Sequence, residues 1–472
     1  MACNWSSEMQ EPSVDTDKLS YEIFSILESR FLFGYEEDTN TNNNNHLHND
    51  SNISNKLSWV PKQVTPAPEN LSPSLTPPRD GGLGSLKNQR GKICILSIDG
   101  GGMRNIISGK VLGYLENALQ VKSGNPDAKI ADFIDVAAGA GVAGIFTAML
   151  FGTKDHTRPL FKADDTWRFL ADQGSRIYRS GNRPGSGIFT KFFRGTGTRS
   201  STVVLEKLMK EKFVKNGRSL TLKDTLKPVL IPCYDLSSTA PFLFSRADAL
   251  ETDGFDFRLW EVCRATSAEP GVFDPVCMRS VNGSTRCVAV DGGLAMANPT
   301  AAAITHVLHN KQEFPFVRGV EDIMVLSIGS GQLLEGSFDD GVVKAWKPKH
   351  WARIAADGYA DMVDHAVAKA FVHHGAGNYI RVQANGSSSC RRGVNVDTDA
   401  SPNNVKMLVG IGDEMLKQKN VESILFGGKR ISEQSNSEKL DWFAEELVKE
   451  HQRRSYRIAP TVAFKQVTDR GS

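Results

Sequence analysis

The feature that most constrains the fold is a repeated order of apolar segment, glycine-rich turn and helical segment. Residues 92–101, KICILSIDGG, form a compact apolar run that ends in glycines, which is typical of a buried strand. Apolar spacing then predicts a helix over residues 103–122. Residues 133–137 and 142–151 repeat the order as a second strand and a second helix. This alternation predicts an α/β protein with a mostly parallel sheet.

The same alternation continues along the chain. Apolar runs predict later strands at 227–233, 286–290 and 323–328. Helical spacing predicts helices at 165–179, 201–213, 299–309, 405–416 and 437–453. The chain contains no internal repeat.

Composition divides the chain into four predicted parts. Residues 1–35 contain an amphipathic helix segment, and residues 36–90 are an Asn/Pro-rich flexible linker that cannot bury a core. Residues 91–390 carry the α/β alternation and form the main domain. Residues 391–472 are a C-terminal extension, which could be a lid, a regulatory tail or further core helices.

Charge and composition exclude several classes of protein. The net charge of +2 gives no global attraction to nucleic acid. No apolar run reaches the roughly 18 residues of a transmembrane helix. The seven cysteines are scattered and odd in number, which favours reduced thiols over a disulfide framework. The start MACNWSSEMQ lacks a signal peptide, so we expect a cytoplasmic protein that is not secreted and can contact membranes peripherally.

The first glycine-rich turn is Asp99-Gly100-Gly101-Gly102-Met103-Arg104, between a predicted strand and a predicted helix. Unshielded N–H groups at a helix start attract negative charge, so the turn can cradle a phosphate or hold an oxyanion. The GK[ST] of a P-loop and the GxGxxG of a dinucleotide site are both absent. A tight turn without a ligand remains the alternative.

The second turn, GAGVAG over residues 139–144, also joins a strand to a helix. This is the context of a nucleophile elbow, whose pattern is G-x-S-x-G. The central position is Gly141, the final glycine is Ala143, and Gly144 supplies the small residue instead. Because glycine adopts positive φ cheaply, Gly141 should preserve the elbow while removing its reactive oxygen.

A third motif places Asp291 at the end of a predicted strand, followed by Gly292 and Gly293. A carboxylate at that position can serve as a general base. An ordinary Asp-Gly-Gly turn is the alternative, because such turns are common.

Together and in this order, the motifs make the chain similar to the patatin-like phospholipase family. The residues that carry the resemblance are IDGGGMR (98–104), FIDVAAGAGVAG (133–144), CRATSAEPGVF (263–273), DGGLAMANP (291–299) and VLSIGSG (325–331). The resemblance covers residues 92–390 and implies a three-layer α/β/α hydrolase fold with a Ser–Asp dyad. It implies acyl-ester hydrolysis of membrane phospholipids and galactolipids at the bilayer surface, without a cofactor.

By this resemblance, Asp291 is the proton acceptor and Gly141 marks the nucleophile position, where the serine is absent. Gly100, Gly101, Gly102 and Arg104 form the implied oxyanion hole, and Gly139 and Gly144 belong to the elbow. The chain resembles the plant subgroup with glycine in place of the elbow serine.

Two hypotheses follow from the missing serine. The chain is a lipid acyl hydrolase with weak or altered activity, or an inactive lipid-binding and regulatory pseudoenzyme. Ser108, Thr147 and Ser267 are the hydroxyls near the motifs that could replace the nucleophile, although an elbow presents its own residue to the substrate.

Two weaker patterns concern metals and membranes. His365, His373 and His374 fall near Asp361 and Asp364, but their spacing matches no HExxH pattern, so we assign no metal. The segment GIFTKFFRG (187–195) mixes aromatic and basic residues, which fits an interfacial loop or core packing equally well.

Overall fold

The computed structural model describes residues 91–178, 196–331, 348–372, 377–384, 396–425 and 428–455. All of them belong to the structural unit Arg90–Ser472. The predicted N-terminal helix, the linker and the aromatic segment 187–195 lie outside the described residues.

The described strands follow the predicted alternation. In chain order they are β1 Ile93–Ile98, β2 Val136–Gly139, β3 Val214–Lys215, β4 Arg218–Ser219, β5 Val229–Asp235, β6 Ala240–Ser245, β7 Val276–Arg279, β8 Arg286–Val290, β9 Ile323–Ile328, β10 Tyr379–Val382, β11 Lys419–Leu425 and β12 Gly428–Ser435. The predicted strands 286–290 and 323–328 are confirmed with these bounds.

The helices lie between these strands. They are α1 Asn105–Ser123, α2 Ile130–Phe133, α3 Val142–Phe151, α4 Ala163–Ile177, α5 Thr196–Phe213, α6 Arg246–Glu251, α7 Leu259–Thr266, α8 Gly292–Met296, α9 Thr300–His309, α10 Pro348–Phe371, α11 Pro402–Lys417 and α12 Asn436–Ser455. Short 3₁₀ turns occupy Gly102–Arg104, Asp253–Phe255 and Val320–Asp322.

One predicted strand begins later than expected. The prediction placed it at 133–137, whereas β2 spans Val136–Gly139. The reason is local: the Asp132 carboxylate accepts the Lys129 N–H at 2.8 Å, which caps the helical turn α2. Phe133 is therefore the last residue of this turn and not the first residue of a strand.

The central sheet has eight strands in the described residues. Its order is β10-β9-β1-β2-β5-β8-β7, with β6 also paired to β5. The five strands from β10 to β5 are parallel, while β6, β7 and β8 pair antiparallel with their neighbours. The prediction of a mostly parallel sheet is confirmed.

Helices cover both faces of this sheet. In β1, Cys94, Leu96 and Ile98 join the apolar core on one face, and Ile93 and Ile95 join the core on the other. Every residue of β1 is buried, as a strand between two helical layers requires. The fold is therefore the expected three-layer α/β/α arrangement.

Residues beyond 390 contribute to the same core. Helices α11 and α12 both pack on α1. Arg454 of α12 makes two hydrogen bonds to Asp135 before β2, at 2.6 and 2.7 Å, and one to the carbonyl of Lys92 at 2.6 Å. The described part of this region thus adds the core helices α11 and α12, with the antiparallel pair β11 and β12 between them.

Candidate active site

The ends of two neighbouring strands bring the glycine-rich turns together. Ile98 is paired with Gly139 at the last register position of β1 and β2. Because parallel strands end at the same edge of the sheet, the turns after them emerge side by side. A Cβ built on Gly100 would lie 3.4 Å from the Ala140 carbonyl oxygen, which shows how closely the turns approach.

The elbow turns sharply at Gly141. Its φ of +58° and ψ of −129° fall where non-glycine residues are strained. The Gly141 N–H donates to Thr266 Oγ1 at 2.9 Å, and its carbonyl accepts the Gly144 N–H at 3.0 Å. The chain thus makes a sharp strand-to-helix turn at Gly141 that is held at both its amide and its carbonyl. Its assignment as a nucleophile elbow stays a prediction.

The elbow needs small residues on both sides of Gly141. A Cβ on Gly139 would lie 2.4 Å from both the Ala143 carbonyl oxygen and Thr147 Oγ1. A Cβ on Gly144 would lie 2.8 Å from Thr266 Cγ2. Such separations are well inside normal contact distances, so strand β2 and helix α3 can approach only with glycine at these positions.

Gly141 itself has room for a side chain. A Cβ there would lie 3.5 Å from Asp291 Oδ1, 3.8 Å from the Thr266 carbonyl oxygen and 3.9 Å from Gly100 Cα. All three are ordinary contacts. Gly141, Asp291 and Gly100, which are far apart in sequence, therefore converge at one point.

Asp291 is the N-cap of α8. Its Oδ1 accepts the Gly293 N–H at 3.1 Å, and its own N–H donates to the Ala268 carbonyl at 3.1 Å. Burial raises the pKa of Asp291 to about 6, against the smaller opposing effect of the Gly293 hydrogen bond. At neutral pH most of these carboxylates are ionised, with a proton affinity suited to a general base.

The glycine loop leaves backbone donors available beside this carboxylate. Gly102 has a φ of +54°, and the Gly100 N–H donates to the Ala297 carbonyl at 3.0 Å. Within the described residues, no acceptor pairs with the N–H groups of Gly101, Gly102 or Val142. All three residues line the pocket. The sequence analysis placed the oxyanion donors only in the glycine loop and did not include Val142.

The Arg104 side chain holds the end of the glycine loop in place. Its guanidinium is buried, lies 2.5 Å from Asp397 Oδ1 and 3.6 Å from Asp357 Oδ1, and donates to the Gly331 carbonyl at 2.8 Å. The N–H of the neighbouring Met103 donates to the Asp397 carbonyl at 2.8 Å. These contacts tie the end of the loop to segments that come much later in the chain.

Asp99 anchors the start of the loop through a buried ion pair. Arg381 of β10 donates to Asp99 Oδ1 at 3.0 Å and to Oδ2 at 2.5 Å, and also donates to Ser327 Oγ at 2.8 Å. Burial raises the pKa of Asp99 in spite of the opposing effect of Arg381. Sequence reasoning missed Arg381; a single arginine in the apolar strand YIRV was the available signal.

A pocket of about 420 Å³ opens over these groups, a volume within the range of small-ligand sites. Helix α10 forms one wall, with Ala352, Ala356 and Ala360 facing the space. Further apolar lining comes from Val142, Tyr178, Pro270, Leu294 and Ala297. Asp357 and Asp361 of α10 also line the pocket, so this wall carries both apolar and acidic side chains. The sequence indicated a helical region around His365, and the helix extends from Pro348 to Phe371.

Comparison with known proteins agrees with this geometry. The model of the patatin-like phospholipase family matches residues 96–304. Patatin-like protein 6 of Arabidopsis thaliana is 62% identical over 472 residues, covering 98% of this chain and 90% of that protein. The chain belongs to the patatin-like phospholipase family.

Two further relatives from Arabidopsis thaliana differ in how similar they are to this chain. Patatin-like protein 7 is 62% identical over 469 residues, covering 98% of this patatin-like chain and 87% of its own length. Probable inactive patatin-like protein 9 is 41% identical over 360 residues, covering 76% of this chain and 86% of its own length. The family thus includes a protein whose name denotes loss of activity.

The hydroxyls considered as substitute nucleophiles are already engaged in this patatin-like site. Ser108 Oγ donates to the Gly329 carbonyl at 3.1 Å, and Thr147 Oγ1 to the Ala143 carbonyl at 3.0 Å. Ser267 lines the pocket, but its Oγ donates to the Cys263 carbonyl at 2.6 Å. Each bond turns the hydroxyl toward the backbone.

The described residues contain no group of three or more His, Cys, Asp and Glu side chains arranged for a metal. Asp364 is buried and accepts a hydrogen bond from Tyr379, while His373 and His374 lie outside the described residues. No helix in the described ranges is both long and apolar enough to cross a bilayer.

Proposed function

We propose that this chain is a weak or altered lipid acyl hydrolase that acts on membrane phospholipids and galactolipids at the bilayer surface. One observation carries the proposal: Asp291 Oδ1 lies 3.5 Å from where a Cβ would stand on Gly141. The carboxylate thus borders the volume that a serine side chain would fill, and water is small enough to occupy that volume.

In the proposed reaction, Asp291 takes a proton from a water molecule while the water oxygen attacks the ester carbonyl. The N–H groups of Gly101 and Gly102 stabilise the negative charge on the carbonyl oxygen. Collapse of the tetrahedral intermediate breaks the bond to the alcohol oxygen. Protonated Asp291 then returns its proton to the leaving alcohol, which leaves a fatty acid and a deacylated lipid.

The predicted oxyanion residues take two different roles in this proposal. Gly101 and Gly102 supply the donors, because no described acceptor occupies their N–H groups. Gly100 and Arg104 hold the loop in place, since the Gly100 amide is bonded to Ala297 and the Arg104 guanidinium to Asp397. Val142 adds a donor at the start of α3.

The expected rate is low. Removing the nucleophile of a triad hydrolase lowers kcat by about 10⁶, yet about 10³–10⁴-fold acceleration over water persists. That remainder comes from the oxyanion hole and from substrate binding, both of which the glycine loop and the pocket can supply here.

A second candidate function is an inactive lipid-binding regulator. The empty nucleophile position favours it, and so does the name of the relative called probable inactive patatin-like protein 9. For either function we propose a cytoplasmic location with peripheral contact at membranes. The unpaired thiols of the described residues, such as Cys94 and Cys263, support a reducing compartment.

The test is fatty-acid release from mixed phospholipid and galactolipid vesicles by the native chain and by Asp291→Asn. We expect slow release by the native chain and a loss of at least about 10²-fold in the variant, because the base is gone. Asp248→Asn is the matched control, since this exposed carboxylate on α6 does not line the pocket. Its release should equal that of the native chain.

Two outcomes would contradict the hydrolase. Release that persists in Asp291→Asn would trace to a contaminant or to another site. No release by the native chain, with lipid binding retained, would favour the regulator.

A further inference from the structure

Helix α10, Pro348–Phe371, is apolar on two opposite sides. On its inner side, Val363, Val367 and Phe371 are buried in the core beneath the sheet. Ala352, Ala356 and Ala360 of the same helix line the candidate pocket. A helix that packs on the core with one side normally presents charged and polar residues to water on the other side.

The outer side of α10 instead exposes large apolar side chains. Trp351 is 52% exposed, Ile354 41%, Tyr359 48% and Met362 56%. Ala355, Gly358 and Ala366 are exposed on the same side. At 100° per residue these positions form one stripe along the helix. We call it the outer stripe of α10.

From Trp351 to Ala366 the outer stripe contains no Asp, Glu, Lys or Arg, and the exposed Lys369 follows on the same face near the end of the helix. The acidic residues of this stretch, Asp357, Asp361 and Asp364, are half-buried or buried and lie on the pocket and core side. Four of the thirteen large apolar side chains exposed in the described residues fall on this single helix. Contiguous exposed apolar surface of this kind marks an interaction site.

The stripe is continuous with the mouth of the pocket. Ala352, next to Trp351, is exposed and also lines the pocket. Leu294 of α8, which packs against α10, lines the pocket and is 53% exposed. An apolar path therefore leads from the outer stripe across the rim to the wall that would hold an acyl chain.

We propose that the outer stripe of α10 is the surface by which this protein docks on a lipid bilayer. The proposal rests on the proposed function, because it assumes that the pocket takes its ligand from a membrane. A tryptophan and a tyrosine beside aliphatic residues suit the boundary between headgroups and acyl chains. Docking there places the rim in contact with the acyl region, so a chain can enter the pocket without crossing water.

The test uses flotation with phosphatidylcholine vesicles, which requires no hydrolysis. Ile354→Ser combined with Met362→Ser should reduce the partition coefficient by at least about tenfold, because two inserted apolar side chains are lost. The matched control combines Val121→Ser with Val203→Ser. These valines are 74% and 60% exposed on α1 and α5, outside the pocket lining. The control should bind like the native chain.

A second measurement reports how deeply Trp351 inserts into the bilayer. Brominated phosphatidylcholine should quench the tryptophan fluorescence of the native chain, and Trp351→Phe should remove most of the quenched fraction. Absence of vesicle binding, equal binding by the stripe variant, or equal loss in the control variant would overturn the proposal. A change of oligomeric state in the stripe variant with unchanged vesicle binding would also overturn it and assign the stripe to a second copy.

Hydrolysis of a water-soluble short-chain ester separates this proposal from the proposed function. The stripe variant should retain the native rate on this ester, because Ile354 and Met362 do not line the pocket. Stripe-dependent vesicle binding without any ester hydrolysis would sustain docking and contradict the hydrolase. Ester hydrolysis that depends on Asp291, together with vesicle binding that does not depend on the outer stripe, would support the hydrolase and contradict docking.

Discussion

The tip and the flanks of the elbow are both glycine, for opposite physical reasons. At the flanks, a Cβ on Gly139 or Gly144 would lie 2.4 or 2.8 Å from the nearest atom. At the tip, a Cβ on Gly141 would meet nothing closer than 3.5 Å. Packing therefore requires the flanking glycines and does not require the one at the tip.

This difference separates architecture from chemistry. The tip needs a positive φ, which glycine adopts at little cost and serine adopts with strain of about 1–3 kcal/mol. The space for a hydroxyl and the carboxylate beside it are nevertheless present. In the proposed assignment, Gly141 leaves out the reactive group of a site that has room for one.

The largest expected effect is at the tip. Gly141→Ser should raise esterase activity by about 10³-fold, because it places a hydroxyl within reach of Asp291 and restores part of the roughly 10⁶-fold contribution of a nucleophile. The measurement is kcat on a short-chain ester. A folded variant without any gain would show that room at the tip is insufficient for catalysis, and would favour a lipid-binding role.

Gly283→Ser is the matched control for this substitution. Gly283 has a φ of +77°, and a Cβ there would meet nothing within 4 Å. The Gly283→Ser substitution therefore imposes similar backbone strain, but in the turn between β7 and β8 and away from Asp291. The esterase activity of this variant should equal that of the native chain. A gain in this variant would show that the effect of Gly141→Ser is not specific to position 141.

The next effect is at the flanks. Gly139→Ala should lower the free energy of unfolding by about 1–3 kcal/mol or more, because its Cβ would collide with the backbone of α3. Urea unfolding measures this change. Gly410→Ala in α11 is the control, because a Cβ there is unobstructed and alanine favours the helix by about 0.5–1 kcal/mol. Equal stability of both variants would refute the distinction between tip and flanks.

The smallest effect is the pH dependence of the tip. With the pKa of Asp291 raised to about 6, activity should be constant above that pH and fall about tenfold per unit below it, as the base becomes protonated. Burial also raises the pKa of Asp361, another pocket residue, to about 6. Asp361→Asn should keep the midpoint near 6, whereas loss of the midpoint would assign the pH dependence to Asp361.

Local patterns predicted much of the fold and the positions of the turns. Helix α3 spans Val142–Phe151 as expected, because its apolar spacing and the preceding glycine define it within a few residues. The grouping of Gly100, Gly141 and Asp291 was predicted by the family resemblance alone, because Asp291 follows β8, which runs antiparallel to β5.

Contacts between distant segments could not be predicted from local patterns. Arg381 pairs with Asp99 from 282 residues away, and nothing in the strand YIRV identifies its partner. The pairing of the Gly100 amide with Ala297 is likewise a backbone contact that carries no side-chain signal. For the same reason, the proposed division of the glycine-loop residues into donors and supports rests on three-dimensional geometry and not on local sequence.

The bond between Arg454 and Asp135 spans 319 residues of chain. It joins the last described helix to the loop that leads into β2, at the start of the central sheet. A growing polypeptide presents β1 and β2 long before Arg454 is synthesised, so this bond forms late in biosynthesis. During that interval the side of α1 that α12 later covers is exposed to water, and such transiently exposed apolar surface favours aggregation of a nascent chain.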